Sequence, residues 1–350
     1  MPAFDIGKYV ARTSVPKGAA RQTLFAVAGA ALAIADAGLD ASQLAQVATA
    51  VLAGSSIMDF GGVTSSMEAV SKRGARGAQP RVLFAIGIGS VSSTVSEVLG
   101  LRSRTMGVST QCSSGLDAVG YGADMVASGE VDVAICGGTE APLHRFPLVE
   151  LRAAELTPLT AEMPERLSRP FDLWRTTGVV SEGACMFVLE PEDSPRRGYS
   201  FISGHAFASD TAGDLCGGMV EAGRLALAEA GIRPEQVDSL NAWGPGHKLV
   251  DVGEARAMQK LFGPWLAGIP AVSIKGAIGT PLGAAPAIQI ASAALAQRHG
   301  IIPPTVNWDY PDPSCPLNLC NRSRALASEW TLVNTHGLGA VNSSMVLQRC

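Results

Sequence analysis

Charge is scarce in this chain: only 17% of its 350 residues are charged, and they balance to a net −4. There is no basic excess to hold a polyanion, so nucleic acid is not expected as a partner. Long apolar runs are missing too. No segment approaches the ~18 uninterrupted apolar residues that cross a bilayer. The opening MPAFDIGKYVARTSVPKGAARQ has no apolar core of the kind a secretion signal needs. No membrane association is expected. Cysteine is present, but without metal-site spacing. The seven cysteines, at 112, 136, 185, 216, 315, 320 and 350, contain no CxxC pair. Cys315 and Cys320 are five apart with no histidine pair beside them, so no metal is expected. An odd, scattered set suits reduced thiols in a cytoplasm. Nothing implies a cofactor.

What the chain does have is apolar residues (47%) and 39 glycines. It can bury a large core and turn tightly between many elements, and its length allows one or two domains. Residues 22–38 read as an Ala-rich helix, 47–55 as a buried strand, 67–81 as a loop with a short helix, and 83–101 as a helix. Residues 142–168 are Pro-rich and irregular, a candidate lid or entrance. Strands follow at SEGACMFVLEP and GYSFISGHAFASD, a helix at 217–232 and a strand at VDSLNAW. Helices at 251–262 and 283–299 flank AVSIKG, and ASEWTLVNTHG and AVNSSMVLQR close the chain as strands. This alternation predicts an α/β fold with parallel central strands.

Residues 105–141, TMGVSTQCSSGLDAVGYGADMVASGEVDVAICGGTEA, carry the most chemical information. An apolar strand leads into Cys112, a small-residue helix follows at once, and a second apolar strand comes next. A thiol at such a junction faces the positive end of a helix dipole, which favours the thiolate nucleophile. Ser113, Ser114, Gly115 and Ala118 let a backbone or a substrate come close. The alternative reading is a buried structural cysteine in an alanine-rich core.

This segment resembles the nucleophile segment of the β-ketoacyl synthases, the condensing enzymes of fatty-acid and polyketide assembly. Further blocks that resemble the family follow in its order. They are SRPFDLWRTTGVVSEGACMFVLEPED (168–193), NAWGPGHKLVDVGEARAM (241–258), SIKGAIGTPLGAAPAIQ (273–289), IIPPTVNWDYPDPSC (301–315) and NTHGLGAVNSSMVLQR (334–349). The resemblance covers nearly the whole chain. It implies a thiolase-like fold, two similar βαβ-rich halves in an α/β/α/β/α layering, placed here at 1–192 and 198–350 and joined by EDSPRRG. The halves show no repeat as sequence identity, so this division rests on the resemblance. The resemblance also implies a central opening strand. This chain starts at FDIGKYVARTSV, which looks like the later approach to the first helix. Either that strand is missing, leaving an edge for another chain to cover, or MPAFDIGKYV supplies it.

Departures from the family pattern bear on activity. The family condenses with a cysteine and two histidines. Here the histidine positions hold Trp243 and Thr280, and neither can act as a base near neutral pH. The two threonines that hold the phosphopantetheine arm are Pro245 and His247. Lys275, Glu182, Asp251 and Glu254 stand where the family has a lysine and acidic residues. Lys275 is a candidate partner of Glu182 in a structural ion pair, or an organiser of the site. The loop Gly337-Leu338-Gly339 resembles the one whose backbone N–H, with that of Cys112, forms the oxyanion hole; an ordinary turn is the alternative. Leu338 replaces the usual gatekeeper phenylalanine. His336, also in place of phenylalanine, is a candidate substitute base or a packed residue satisfied by backbone. His247 is a second candidate, although its neighbours suggest a solvated loop. Trp243 reads as core filling the space of a lost imidazole. His144, His205 and His299 have no supporting motif.

Three functions follow from this reading. The first is an acyltransferase that loads Cys112 from an acyl carrier protein or acyl-CoA, with decarboxylative condensation in doubt. Trp243, Thr280, Gly337, Gly339 and His247 would then line the substrate. The second is a non-catalytic partner like the chain-length factors, although those partners generally lose the cysteine. The third is a thiolase-like scaffold. A homodimer, or a heterodimer with another ketosynthase, is expected.

Overall fold

The computed structural model describes residues 4–159 and 162–350. They fall into two compact units. The first runs to residue 147 and includes 182–196 and 281–287; the second holds 148–181, 197–280 and 288–350.

In the first unit, α1 (Arg21–Asp36) ends where Gly38 takes a left-handed φ of +67°, a conformation open to a residue without Cβ. The short α2 (Ala41–Leu44) starts on a capping box between Asp40 and Gln43. There follow β1 (Thr49–Gly54), α3 (Phe60–Arg73), α4 (Arg81–Ala85), α5 (Gly89–Val98), β2 (Arg104–Val108), α6 (Ser114–Ala127) and β3 (Val133–Glu140). Next come α7 (Arg145–Ala153), which straddles the division between the units, and β4 (Gly183–Leu189). The sheet order is β2-β1-β3-β4. The first three strands are parallel, and β4 is antiparallel to β3. β1 and β3 are buried along their whole length, which is why they read as unbroken apolar or small-residue runs. The core gathers Val27, Ile34, Leu44, Val51, Ile135 and Met186.

Two local expectations change. Residues 67–81 do not form mainly loop: α3 begins at Phe60, where the Asp59 side chain accepts the Gly62 N–H at 3.0 Å. The stretch 83–101 is broken between α4 and α5 at Ile86–Ile88, beside Gly87 and Gly89. Neither α3 nor α4 has a buried residue. An apolar pattern fixed by core packing was therefore not available to reveal them.

The second unit contains β5 (Ser200–Ser209), α8 (Gly217–Glu229), β6 (Ser239–Asn241), α9 (Lys248–Phe262), β7 (Ala271–Val272) and α10 (Lys275–Ile278). It continues through most of α11 (Ala285–His299), the small pair β8 (Ile301–Ile302) and β9 (Arg324–Ala325), and the hairpin β10 (Trp330–Gly337) and β11 (Val341–Arg349). Its large sheet has the order β7-β6-β10-β11-β5. β7, β6 and β10 are parallel; β11 is antiparallel to β10, and β5 to β11. Met219, Leu240, Met258, Phe262, Leu332 and Val346 form its core.

The two sheets correspond strand for strand from β2-β1-β3-β4 to β7-β6-β10-β11. The second has one strand more, β5. Ahead of α1, the described residues form only single 3-10 turns at Ile6–Lys8 and Arg12–Ser14, so residues 4–10 of MPAFDIGKYV do not form the counterpart; residues 1–3 lie outside the described residues. By the place of β5, that counterpart belongs at a sheet edge and not at the centre. No helix among the described residues is long and apolar enough to cross a membrane.

Candidate active site

Cys112 lies in the turn that joins β2 to α6 and is 8% exposed. The residue before it, Gln111, has φ +54°, a left-handed backbone that non-glycine residues rarely adopt. The turn is held from both sides. The Ser113 N–H donates to the Thr110 carbonyl, and the Ser114 N–H to that of Gln111, each at 3.1 Å. The Ser114 hydroxyl accepts the Thr110 N–H at 3.0 Å. The small residues around the thiol serve backbone packing. A Cβ on Gly115 would lie 2.6 Å from the Gly283 carbonyl oxygen, and one on Gly54 would lie 2.2 Å from that of Ser114. Of the two uses open to these small residues, a backbone or a substrate coming close, Gly115 serves the first.

Sequence reasoning missed Glu140, the fully buried end of β3. Its carboxylate accepts the Ser55 hydroxyl at 2.9 Å, the Ser56 N–H at 2.7 Å and the Gly283 N–H at 3.0 Å. It thereby ties the loop after β1 to the turn that packs on Gly115. Burial raises its pKa, opposed by the hydrogen bonds from Ser56. The available signal was an acid ending an otherwise apolar strand.

In the second unit, Lys275 is fully buried. Its Nζ sits 4.1 Å from the centre of the Trp243 ring and donates to Gln289 Oε1 at 2.8 Å. Gln289 in turn donates to the carbonyls of Ala242 and Asn334. Glu254 accepts the backbone N–H groups of Trp243 and Gly244, each at 2.8 Å. Its pKa is raised to about 7, chiefly by burial, and the charge of Lys275 works against that rise. The acid that faces Lys275 is therefore Glu254. Glu182, the expected partner, is bound by both nitrogens of the Arg21 fork, at 2.9 and 2.6 Å, and these bonds lower its pKa. Asp251 accepts the N–H groups of Phe171, Gly246 and His247 and lies 3.5 Å from Arg175. Thr280 is buried, and its hydroxyl has no hydrogen-bond partner among the described residues.

The two histidines behave differently. His247 is not a solvated loop residue: it is the N-cap of α9, and its Nδ1 accepts the N–H groups of Leu249 and Val250 at 3.2 and 3.4 Å. Burial first, then the Arg175 charge, lowers its pKa. Its stabilisation is complete above the unfolded histidine value of ~6.5 and is lost as pH falls through the lower folded value. His247→Ala should lower Tm by roughly 2–4 °C, from a cap worth about 1 kcal/mol. His247→Asn, which caps without titrating, should keep most of that stability. It should also show a smaller fall in Tm than wild type between about pH 7 and 5. Parallel Tm-versus-pH curves for wild type and the Asn variant would count against the cap.

His336 ends β10, 7% exposed. Its Nδ1 lies 2.9 Å from Asn342 Oδ1, and Asn342 Nδ2 donates to Asp210 Oδ1 at 2.7 Å. Asp210 is itself fixed by the N–H groups of Cys216 and Gly218. The carboxylate dictates which way the amide points, so the amide oxygen faces the imidazole. Nδ1 is then the donor, and in the neutral ring the lone pair falls on Nε2. Asn342 and Asp210 were not picked from the sequence, since their meaning depends on a contact 132 residues long. Beyond His336, the turn Leu338–Ala340 joins β10 to β11, with left-handed φ at Gly339 (+82°) and Ala340 (+70°) and Leu338 47% exposed.

Known proteins are similar to this chain over nearly its whole length. The β-ketoacyl synthase N-terminal domain model matches residues 12–194, and its C-terminal domain model matches 198–309. A putative polyketide β-ketoacyl synthase 1 of Streptomyces virginiae is 37% identical, over 93% of this chain and 81% of its own length. The tetracenomycin ketoacyl synthase alpha subunit of Streptomyces glaucescens is 33% identical, over 94% and 81%. The ishigamide ketosynthase/chain length factor structure superposes with a TM-score of 0.92 at 29% identity, covering all of this chain and 87% of that one. With a thiolase-like sheet plan, a cysteine in the turn opening α6 and matches across nearly its whole length, the chain belongs to the β-ketoacyl synthase family.

Proposed function

We propose that the chain is an acyltransferase that takes an acyl group from a thioester, on an acyl carrier protein or on CoA, onto Cys112. Cys112 Sγ bonds to the thioester carbonyl carbon, and the bond from that carbon to the leaving sulfur breaks. The carrier or CoA thiol departs with the proton that Cys112 gives up. The observation that carries this reading is the Gln111–Cys112 turn at the head of α6. A non-glycine left-handed residue costs of order 1–3 kcal/mol and persists where the surroundings hold it for a purpose. The family resemblance assigns the oxyanion to the N–H groups of Cys112 and Leu338, with Gly337 and Gly339 shaping that loop. Trp243, Thr280 and His247 contribute to substrate binding, and the unpartnered Thr280 hydroxyl is available to a ligand. Lys275 and Glu182 are organising charges. Condensation is outside the proposal, because Trp243 and Thr280 supply no base.

His336 serves as the base for transfer to the acceptor, with its Nε2 lone pair set by Asn342 and Asp210. His336→Phe should slow transfer from the loaded thioester about 10²-fold. Unchanged transfer in that variant would remove His336 from the mechanism.

The direct test is the intact mass of the protein after incubation with a panel of acyl-CoA and acyl-carrier donors. A gain of one acyl group supports the proposal. No gain with any donor overturns it in favour of a second reading, a non-catalytic chain-length-factor-like partner of an active ketosynthase. What favours that second reading is Trp243, packed over Lys275 where the family has a histidine. Under either reading we propose a dimer, homotypic or with another ketosynthase chain. Among the described residues one edge of β2 is unpaired, and Arg104, Thr105 and Met106 of that strand are exposed.

A further inference from the structure

The neighbours of His336 equip one of its nitrogens and leave the other open. Its ring, 7% exposed, is held at Nδ1 by a side-chain amide, Asn342 Oδ1 at 2.9 Å, and not by a backbone carbonyl. Asn342 is fully buried and donates from Nδ2 to Asp210 Oδ1 at 2.7 Å. Asp210 accepts the Cys216 N–H at 3.0 Å and the Gly218 N–H at 2.8 Å, so the relay is anchored on backbone at the start of α8. The same carboxylate lies 3.8 Å from His336 Nδ1, with 5% of its side chain exposed. A negative charge that close favours the imidazolium. Nε2 has no hydrogen-bond partner among the described residues. The ring is thus oriented at one nitrogen, open at the other, and supplied with a counter-charge for a proton taken up at the open one. A base held in place by a third group has this form. A ring that only filled space would need neither the relay nor the carboxylate.

We propose that the acceptor of the acyl group is an alcohol and that the product is an ester. This rests on the reading of Cys112 as the loaded nucleophile, and it names the second substrate of that reaction. A condensing acceptor makes its carbanion by losing CO2, a step that gives an open imidazole nitrogen no proton to remove. A thiol acceptor would only reverse the loading step. An alkyl amine, with a pKa near the ~10.4 of lysine, is an ammonium at neutral pH. It has no lone pair to offer and pays to leave water beside a buried ring. An alcohol arrives neutral and becomes a good nucleophile only as its proton leaves. The hydroxyl oxygen bonds to the thioester carbonyl carbon while its proton passes to His336 Nε2. The bond from that carbon to Cys112 Sγ then breaks, and the proton returns from Nε2 to the departing sulfur. Asp210 steadies the imidazolium in between. An ester and the free Cys112 thiol result, with no oxidant, reductant or CO2 involved.

The test starts from the intact chain loaded with an acyl group and freed of donor. Separate portions receive 1-butanol, 1-octanol or the N-acetylcysteamine thioester of 3-hydroxybutyrate, the matching amines 1-butylamine and 1-octylamine, malonyl-CoA, or buffer alone. Mass spectrometry follows the acyl group from protein to product. We expect at least one alcohol to release it as an ester at least tenfold faster than buffer does, with the oxygen of an ¹⁸O-labelled alcohol kept in the ester. Per loaded molecule, His336→Phe should form that ester about 10²-fold more slowly. Amide formed faster than ester, or a chain-extended β-keto product from malonyl-CoA, would overturn the assignment. Equal release in every portion would mean hydrolysis and would overturn it too, as would an unchanged rate of ester formation in the variant. Loading without ester removes the alcohol and leaves the Cys112 reading standing. No loading from any donor removes the Cys112 reading, and the alcohol with it.

Discussion

Replacing Cys112 with alanine should abolish the acyl mass gain completely while the protein stays folded. The side chain is small and almost fully covered, so its loss should cost about 1 kcal/mol, a shift of a few degrees in Tm. The loss of loading should be total, and five of the six other thiols are poor substitutes. Burial pushes Cys136 and Cys216 far up, and it raises Cys185 and Cys315 to about 12, so almost none of any of them is thiolate near neutral pH. Cys350 is exposed but also raised by desolvation. If alanine at position 112 left the mass gain in place, peptide mapping would find the acyl group on another residue, and the nucleophile assignment would be wrong.

Gly54→Ala should be strongly damaging both to the first unit and to the Cys112 turn. Its Cβ would sit 2.2 Å from the Ser114 carbonyl oxygen and 2.6 Å from the Gly115 nitrogen. Both obstacles are backbone, so no side-chain rotation relieves them. Either β1 or the first turn of α6 must move. Overpacking of this kind costs about 3 kcal/mol, or roughly 6–12 °C in Tm. Since that first turn carries Cys112, acyl loading should fall even at temperatures where the variant is folded. Circular dichroism melts and loading rates at low temperature separate the two effects. A variant with wild-type Tm and wild-type loading would show that the close approach is dispensable.

Much of this was legible in the chain, and the reasons are physical. β1 and β3 are buried on both faces, so their apolar composition announced them. Cys112 stood out because a strand, a thiol and a small-residue helix follow one another without a break. α3 and α4 were obscured because nothing in them is buried: Met67, Leu83 and Phe84 are 67–78% exposed, and exposed apolar residues carry no helical period set by a core. That the charge of Lys275 acts on Glu254 was not legible, because Glu254 lies 21 positions before it, on another element, and composition does not report which acid a buried amine meets. His247 looked solvated from its glycine and lysine neighbours. Its use as a helix cap depends on two N–H groups that turn toward it only once α9 forms. The duplication had one readable trace, the Ala-Asp-Ala-Gly-Leu and Ala-Glu-Ala-Gly-Ile endings of α1 and α8. It was too short to notice before the two sheets could be laid side by side.

The indole of Trp243 over the ammonium of Lys275 has a consequence for the history open to this chain. A buried cation over an aromatic face is stabilised by about 2 kcal/mol or more. Restoring histidine at position 243 would take that face away and bring a second ionisable group to a fully buried lysine. The imidazole would be driven neutral, and Gln289 and Glu254 would have to balance the ammonium without the ring. A histidine at position 280 alone would supply only one of the two bases that the family resemblance implies. Each single step back toward a condensing site therefore lowers stability before any condensing activity can return. The substitution behaves as a ratchet, holding the chain to whatever role it took up after the indole arrived.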